Sequence, residues 1–226
     1  MEQRRLPHCR HEAPLPDPRQ YAYPHCIRVR MVLNVPRCHD IFKVEMEKDA
    51  GKDIYILVIG DIEEMVSVRE VVESVRREFG FPTQLVHSHI NPEDAYDPRR
   101  EQYHSTKILK EMLDDLPSDA IKMMAITSVD LFIPILTFVF GEAQLGGQVG
   151  IVSLARLRQE FYGLPPNQTL LQRRLIKELK HELGHTFGLV HCSRRECVMS
   201  VANNIADVDS KGMAFCEGCR DLMRRS

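Results

Sequence analysis

Residues 181–192 read HELGHTFGLVHC. Two histidines four positions apart share one face of a helix, so His181 and His185 can converge on a single ion with Glu182 beside them. Gly188 stands where a glycine can take the left-handed conformation that ends a helix and turns the chain. That turn can bring His191 back to the same ion as a third ligand. With this composition HExxH alone arises by chance about 0.03 times, and requiring Gly188 and His191 lowers the expectation to on the order of 10⁻⁴. The spacing is therefore read as a site. Three neutral imidazoles leave one position open on tetrahedral zinc, where a water's pKa falls from about 15.7 towards 7. Glu182 can take that water's proton and deliver it to a leaving amine. Amide hydrolysis is the reaction this set suits.

The stretch closes on Cys192, which opens a second set: Cys192-x4-Cys197, then Cys216-x2-Cys219. Two close cysteine pairs about twenty residues apart have the spacing of a structural four-cysteine zinc site. Successive side chains on an extended backbone point to opposite sides, so His191 and Cys192 are assigned to different ions, on the order of 10 Å apart. Two zinc ions per chain are expected, one catalytic and one structural. The intervening VMSVANNIADVDSKGMAF is too polar to be held by apolar burial alone, and a metal staple accounts for it.

Working back from the motif, Leu171, Leu175, Leu179 and Leu183 recur every four residues, so a helix from about Thr169 to Phe187 can pack on a sheet while its other side faces a cleft. DIYILVIGDI (53–62) has the near-continuous apolar character of a strand buried on both faces. Asp61 with Glu64 signals a capping box before a helix through Phe79, stopped by Gly80 and Pro82. TQLVHSHI (83–90) and AIKMMAITSVDL (120–131) read as strands, and Ile108 to Leu116 marks a second amphipathic helix. LTFVFGEAQ and QVGIVSLAR flank Leu145-Gly146-Gly147 as a hairpin. CIRVRMVLNV, from Cys26, alternates as a half-buried strand does. Strands alternating with helices make this an α/β fold. The expected organisation is a loosely ordered extension over 1–25, an α/β subdomain over 26–188 containing the zinc-binding helix, and a C-terminal subdomain over 189–226.

Composition excludes several classes. Thirty basic and thirty-two acidic residues leave a formal charge of −2, so nothing favours nucleic acid or an anionic membrane. LFIPILTFVF (131–140) is half the length of a membrane span and is interrupted by Pro134, and MEQRRLPHCRHEAPLPDPRQ has no apolar core of a secretory signal. Four of the seven cysteines lie in the last 35 residues, which favours metal in a reducing compartment over disulfides. A cytoplasmic monomer is expected. His8, Cys9, His11, His25, Cys26, Cys38 and His39 do not make a third metal site by spacing. His87 and His89 read as packing or surface residues, and Arg173-Arg174, Arg194-Arg195 and Arg224-Arg225 as solvated charges.

HELGHTFGLVHC, followed by CVM at 197–199 and FCEGC at 215–219, closely resembles the archaemetzincins, zinc metallopeptidases of the metzincin clan. LTFVFGEAQ and VGIVSLARL resemble that family's strands ahead of the zinc helix, so the likeness covers roughly residues 26–222. It implies a mixed, mostly parallel twisted sheet with an antiparallel edge strand, helices packed on it and a small zinc-stapled C-terminal subdomain. It also implies His181, His185 and His191 on a catalytic zinc, Glu182 as general base, Met199 in a turn beneath the metal, and Cys192, Cys197, Cys216 and Cys219 on a second zinc. A peptide substrate would lie as an extended strand along LTFVFGEAQ, with aminopeptidase and endopeptidase action both open. Val201 stands where clan relatives carry a metal-facing tyrosine. The competing reading is a non-catalytic zinc-binding interaction protein with a vestigial or regulatory histidine site.

Overall fold

The computed structural model describes residues 53–225. The extension over 1–25, the strand from Cys26, and Cys9, Cys26 and Cys38 lie outside the described residues. Strand β1 (Asp53–Ile59) is followed by helix α1 (Val68–Phe79) and strand β2 (Thr83–His87). Helix α1 starts six residues later than the Asp61 signal suggests. Its cap is Ser67, whose hydroxyl accepts from the Glu70 N–H and whose own N–H donates to Gln172 Oε1 at 2.8 Å. Gly80, at φ +77°, ends it.

Strands β3 (Tyr96–Asp97) and β4 (Gln102–His104) lead into helix α2 (Ser105–Asp114). Then come β5 (Ala120–Thr127), β6 (Leu131–Phe132), β7 (Gly141–Ala143) and β8 (Val149–Ser153). The main sheet has the order β2-β1-β5-β8-β7. Its first four strands are parallel, and β7 pairs antiparallel with β8 at the edge. A small second sheet, β3-β4-β6, was not anticipated, because strands of two or three residues carry no periodicity.

The edge strand is shorter than LTFVFGEAQ implies. Only Gly141–Ala143 pairs with β8, besides an isolated bridge from Val139 to Leu131. Pro134, lacking an N–H, opens this stretch as a loop, and the Arg100 guanidinium holds the carbonyls of Leu136 and Thr137.

Helix α3 (Gln168–Thr186) carries the histidine motif. Leu171, Leu175, Leu179 and Leu183 pack with α1 and β1, β5 and β8 in one apolar core, while α2 covers the opposite face of the sheet with a second. The other side of α3 is not an open face. Arg174 makes a bidentate pair with Asp209 at 2.7 and 2.6 Å and donates to the Leu157 carbonyl. Lys177 donates to the carbonyls of Val208 and Asp209, and Lys180 reaches Glu78 and the Met213 carbonyl. Arg174 is thus a buried clamp rather than a solvated charge, while Arg173, Arg194, Arg195, Arg224 and Arg225 are exposed as expected. Together these side chains seat helix α4 (Ile205–Ser210) and the residues after it on α3. Helix α5 (Glu217–Met223) ends the described chain. Val198, Met199, Val208 and Phe215 are also buried, so the tail is held by apolar contact and ion pairs.

Candidate zinc centres

The histidine site is built by one helix and the turn that ends it. Asn167 caps the start of α3 by accepting from the Leu170 N–H. At the other end Gly188 takes φ +85° and the Leu189 N–H returns to the Gly184 carbonyl. The reversed chain brings the His191 ring to 5.3 Å from that of His181 and 5.0 Å from that of His185, centroid to centroid. One ring nitrogen from each of the three lies within 4.8 Å of the others. The Nε2 atoms of His181 and His185 are 3.1 Å apart, close to the roughly 3.3 Å separating two nitrogens bound tetrahedrally to zinc.

The outer nitrogens are oriented by backbone. His181 Nδ1 meets the Val198 carbonyl at 2.8 Å and His185 Nδ1 the Leu189 carbonyl at 2.7 Å. A carbonyl can only accept, so each Nδ1 carries its proton and each Nε2 presents a lone pair to the centre. Burial holds His181 well below the ordinary histidine value and His185 down to about 4, with smaller repulsions from Lys211 and the neighbouring rings. His191, also lowered by burial, is the exposed member. All three rings are neutral near pH 7, the form that binds metal.

Glu182 is 7% exposed. Burial pushes its carboxyl well above the usual range, and the carboxylates of Glu178 and Glu142 push the same way against Lys211. The edge strand lies directly on it: a Cβ on Gly141 would stand 2.7 Å from Glu182 Cγ and 2.7 Å from the Ile151 carbonyl oxygen. Beside Gly141, the Glu142 carboxylate accepts from the hydroxyls of Ser105 and Thr106 at the start of α2. The hairpin tip is tied to the end of α3, where the Gly146 N–H donates to the His185 carbonyl and the Lys122 ammonium to those of Thr186 and Gly147.

The four C-terminal cysteines form the second group, with all sulfurs within 4.8 Å of one another. Cys192 and Cys216 are 3.8 Å apart, as are Cys197 and Cys219. Tetrahedral zinc with Zn–S near 2.3 Å places its sulfurs about 3.8 Å apart, whereas a disulfide requires about 2.05 Å. The donor set and dimensions therefore fit zinc. Cys216 caps α5, and the Cys219 backbone N–H lowers its thiol to about 7, while burial raises those of Cys197 and Cys219.

Residues 197–199 serve both groups. Cys197 contributes its sulfur to the second, the Val198 carbonyl orients His181, and Met199 packs beneath α3 at Gly184. A Cβ on Gly184 would meet Met199 Sδ at 2.6 Å and Phe215 Cε1 at 3.0 Å. A glycine inside a helix costs about 1 kcal/mol relative to alanine, so HELGH itself held a signal that something packs closely there. Gly141 in VFGEAQ held a similar one. Lys211 and Glu178, buried beside His181, carried none. His87 and His89 are exposed, near Glu63 and Asp115, and lie in neither group.

The chain is similar to known proteins of one family. Residues 42–225 match peptidase family M54, starting later than the region expected from the sequence. The archaemetzincin of Methanocaldococcus jannaschii is 42% identical over 169 residues, covering 74% of this chain and 89% of that protein. That of Pyrococcus furiosus is 40% identical over 175 residues, covering 74% and 91%. The crystal structure of archaemetzincin from Methanopyrus kandleri superposes with a TM-score of 0.68 at 34% identity, covering 80% of this chain and 97% of that one. The Archaeoglobus fulgidus archaemetzincin, solved with malonate, gives 0.64 at 31% identity, covering 75% and 99%. This chain belongs to the archaemetzincins, peptidase family M54, and is a zinc metallopeptidase.

Proposed function

We propose that this chain hydrolyses peptide bonds with His181, His185 and His191 holding a catalytic zinc, Glu182 as general acid–base, and a second, structural zinc on Cys192, Cys197, Cys216 and Cys219. The observation that carries the reading is the convergence of three imidazoles, two of them oriented by backbone carbonyls, with a buried carboxylate under the edge strand. When bound, the first zinc would acidify a water and polarise the scissile carbonyl. Glu182 accepts a proton from the attacking water and returns it to the leaving amine. Its burial supports this role, because desolvation raises the affinity of the carboxylate for a proton. Val201 offers no hydroxyl to a developing oxyanion, and the zinc, when bound by the three histidines, would supply that stabilisation.

The outer side of β7 bears no neighbouring strand among the described residues, which supports binding of an extended peptide there. With three residues in β7, the ladder is short and most of the grip must come from side-chain contacts. We read residues 189–225 as a C-terminal subdomain stapled to the α/β part by the cysteine zinc and the clamps on α3. All seven ligands and Glu182 come from one chain, so a monomer suffices. Four thiol ligands suit a reducing compartment, which supports a cytoplasmic location. No helix of the described residues is long and apolar enough to cross a membrane.

The test is cleavage profiling of zinc-loaded protein against a mixed-length peptide library. Glu182→Gln should keep its zinc and lose about 10²- to 10⁴-fold in rate. A zinc-loaded variant cleaving at the parental rate would remove Glu182 from the mechanism. An untouched library with fully loaded parent would favour the non-catalytic reading instead.

A further inference from the structure

Behind His181, on the side away from its metal-facing nitrogen, two full charges are buried. The Lys211 side chain is 1% exposed and that of Glu178 is 4% exposed, and Nζ stands 2.7 Å from Oε1. The same ammonium is 3.4 Å from His181 Nδ1. Lys211 follows α4, and its N–H donates to the Asp207 carbonyl, so its position depends on the seating of the 205–213 segment. That segment is already held by Arg174 on Asp209, Lys177 on the Val208 and Asp209 carbonyls and Lys180 on the Met213 carbonyl. Burying a further ion pair gains little, because desolvation offsets most of the attraction and apolar residues of equal volume would serve as well. The placement of this pair therefore calls for an explanation other than stability.

We propose that Lys211 and Glu178 are a positioning pair for the catalytic zinc, fixing the His181 ring from behind so that its Nε2 stays aimed at the ion. The His181 ring has two neighbours at Nδ1, the Val198 carbonyl and the Lys211 ammonium. The ammonium offers only donors, so the ring proton has a single acceptor, Val198. The Val198 carbonyl alone sets the tautomer, since an ammonium facing Nδ1 would by itself favour a bare nitrogen there, and the packed Lys211 side chain limits how far the ring can turn. The Glu178 carboxylate, in charge contact with the ammonium but without a hydrogen bond at Oε1, cancels its charge, which would otherwise repel a divalent ion bound on the far side of the ring. Because the pair is neutral overall, its removal as a unit leaves little net field at the metal, and the effect that remains is orientation. Outer partners of this kind change metal affinity by about 10- to 100-fold.

The inference rests on the reading of His181, His185 and His191 as a zinc site. The parent and a His181→Ala control are therefore titrated first, by chelator competition on the full chain. The control must lose one of two zinc equivalents, and if it does not, the site assignment fails rather than this proposal. The charge-neutral double variant Glu178→Gln/Lys211→Met should remain folded, hold one equivalent as tightly as the parent, and bind the other about tenfold or more weakly. In proton NMR of the zinc-loaded form, the protected His181 Nδ1–H resonance of the parent should broaden into exchange. Glu178→Gln alone keeps the shape and an acceptor but leaves the ammonium uncompensated, and it too should weaken that equivalent about tenfold. This second variant decides the matter if the double variant does not fold. Folded variants that keep both equivalents within about twofold of the parent, with the imidazole resonance intact, would overturn the proposal.

Discussion

The double variant Cys216→Ser/Cys219→Ser tests how the two zinc groups depend on each other. These residues are the best choice because they lie on and next to α5, more than twenty residues along the chain from the histidine ligands, whereas Cys192 is joined to His191 by a peptide bond. The Cys216 sulfur lies 3.8 Å from that of Cys192 and the Cys219 sulfur 3.8 Å from that of Cys197, and Cys197 leads directly into the Val198 carbonyl that accepts from His181 at 2.8 Å. A structural zinc contributes on the order of 10 kcal/mol of apparent binding energy, comparable with the whole stability of a domain. Losing it should unseat residues 197–199 locally. The direct loss at His181 is one buried hydrogen bond, about 1 kcal/mol, plus the freedom its ring regains. Outer-partner losses of this type weaken metal binding about 10- to 100-fold, or about 1.4–2.7 kcal/mol. Chelator competition with metal analysis should show one equivalent gone and the histidine equivalent weakened by that factor, and excess zinc should recover part of the cleavage. If the remaining equivalent keeps parental affinity, the Val198 contact transmits nothing and the two groups are merely adjacent.

Two further outcomes follow from the site's packing and charge. Gly141→Ala places a methyl 2.7 Å from both Glu182 Cγ and a backbone oxygen that cannot yield, so the edge strand must lift. Overpacking of about 1–3 kcal/mol should appear as an approximately 10- to 100-fold fall in kcat/KM with zinc content unchanged, and parental kinetics would refute the close approach. With the histidines metal-free, folding holds His185 at about 4 against the ordinary 6.5, so the unfolded chain takes up its proton first as pH falls. That contribution is full above about pH 6.5, fades as pH falls through the window down to about 4, and reaches at most about 3 kcal/mol. The raised carboxyl of Glu182 works in the opposite direction, so the measurement is the difference in urea midpoint between parent and His185→Asn at pH 7 and pH 5. The parent should lose the more between the two, and parallel midpoints would refute the burial of His185.

The sequence by itself determined what is local. Four-residue spacing puts His181 and His185 on one helix face, Gly188 permits the reversal that returns His191, and the cysteine pairs have the spacing of a metal site. A near-continuous apolar run marked β1 and AIKMMAITSVDL read as the strand that contains β5, and their parallel pairing places both in the centre of the sheet. Tertiary structure alone decided which charges leave water. Arg174 and Arg173 are indistinguishable in a string of letters, yet one is clamped on Asp209 and the other is solvated. Lys211 and Glu178 meet only because the tail folds back over α3. The shortened edge strand, Gly141 against Glu182, and Met199 beneath Gly184 were settled in the same way, by partners distant along the chain. The physical reason is common to all of them. Ligand spacing and helix periodicity are fixed by backbone geometry over a few residues. Burial of a charge or close approach to a glycine depends on which remote surface arrives there, and no local pattern encodes that.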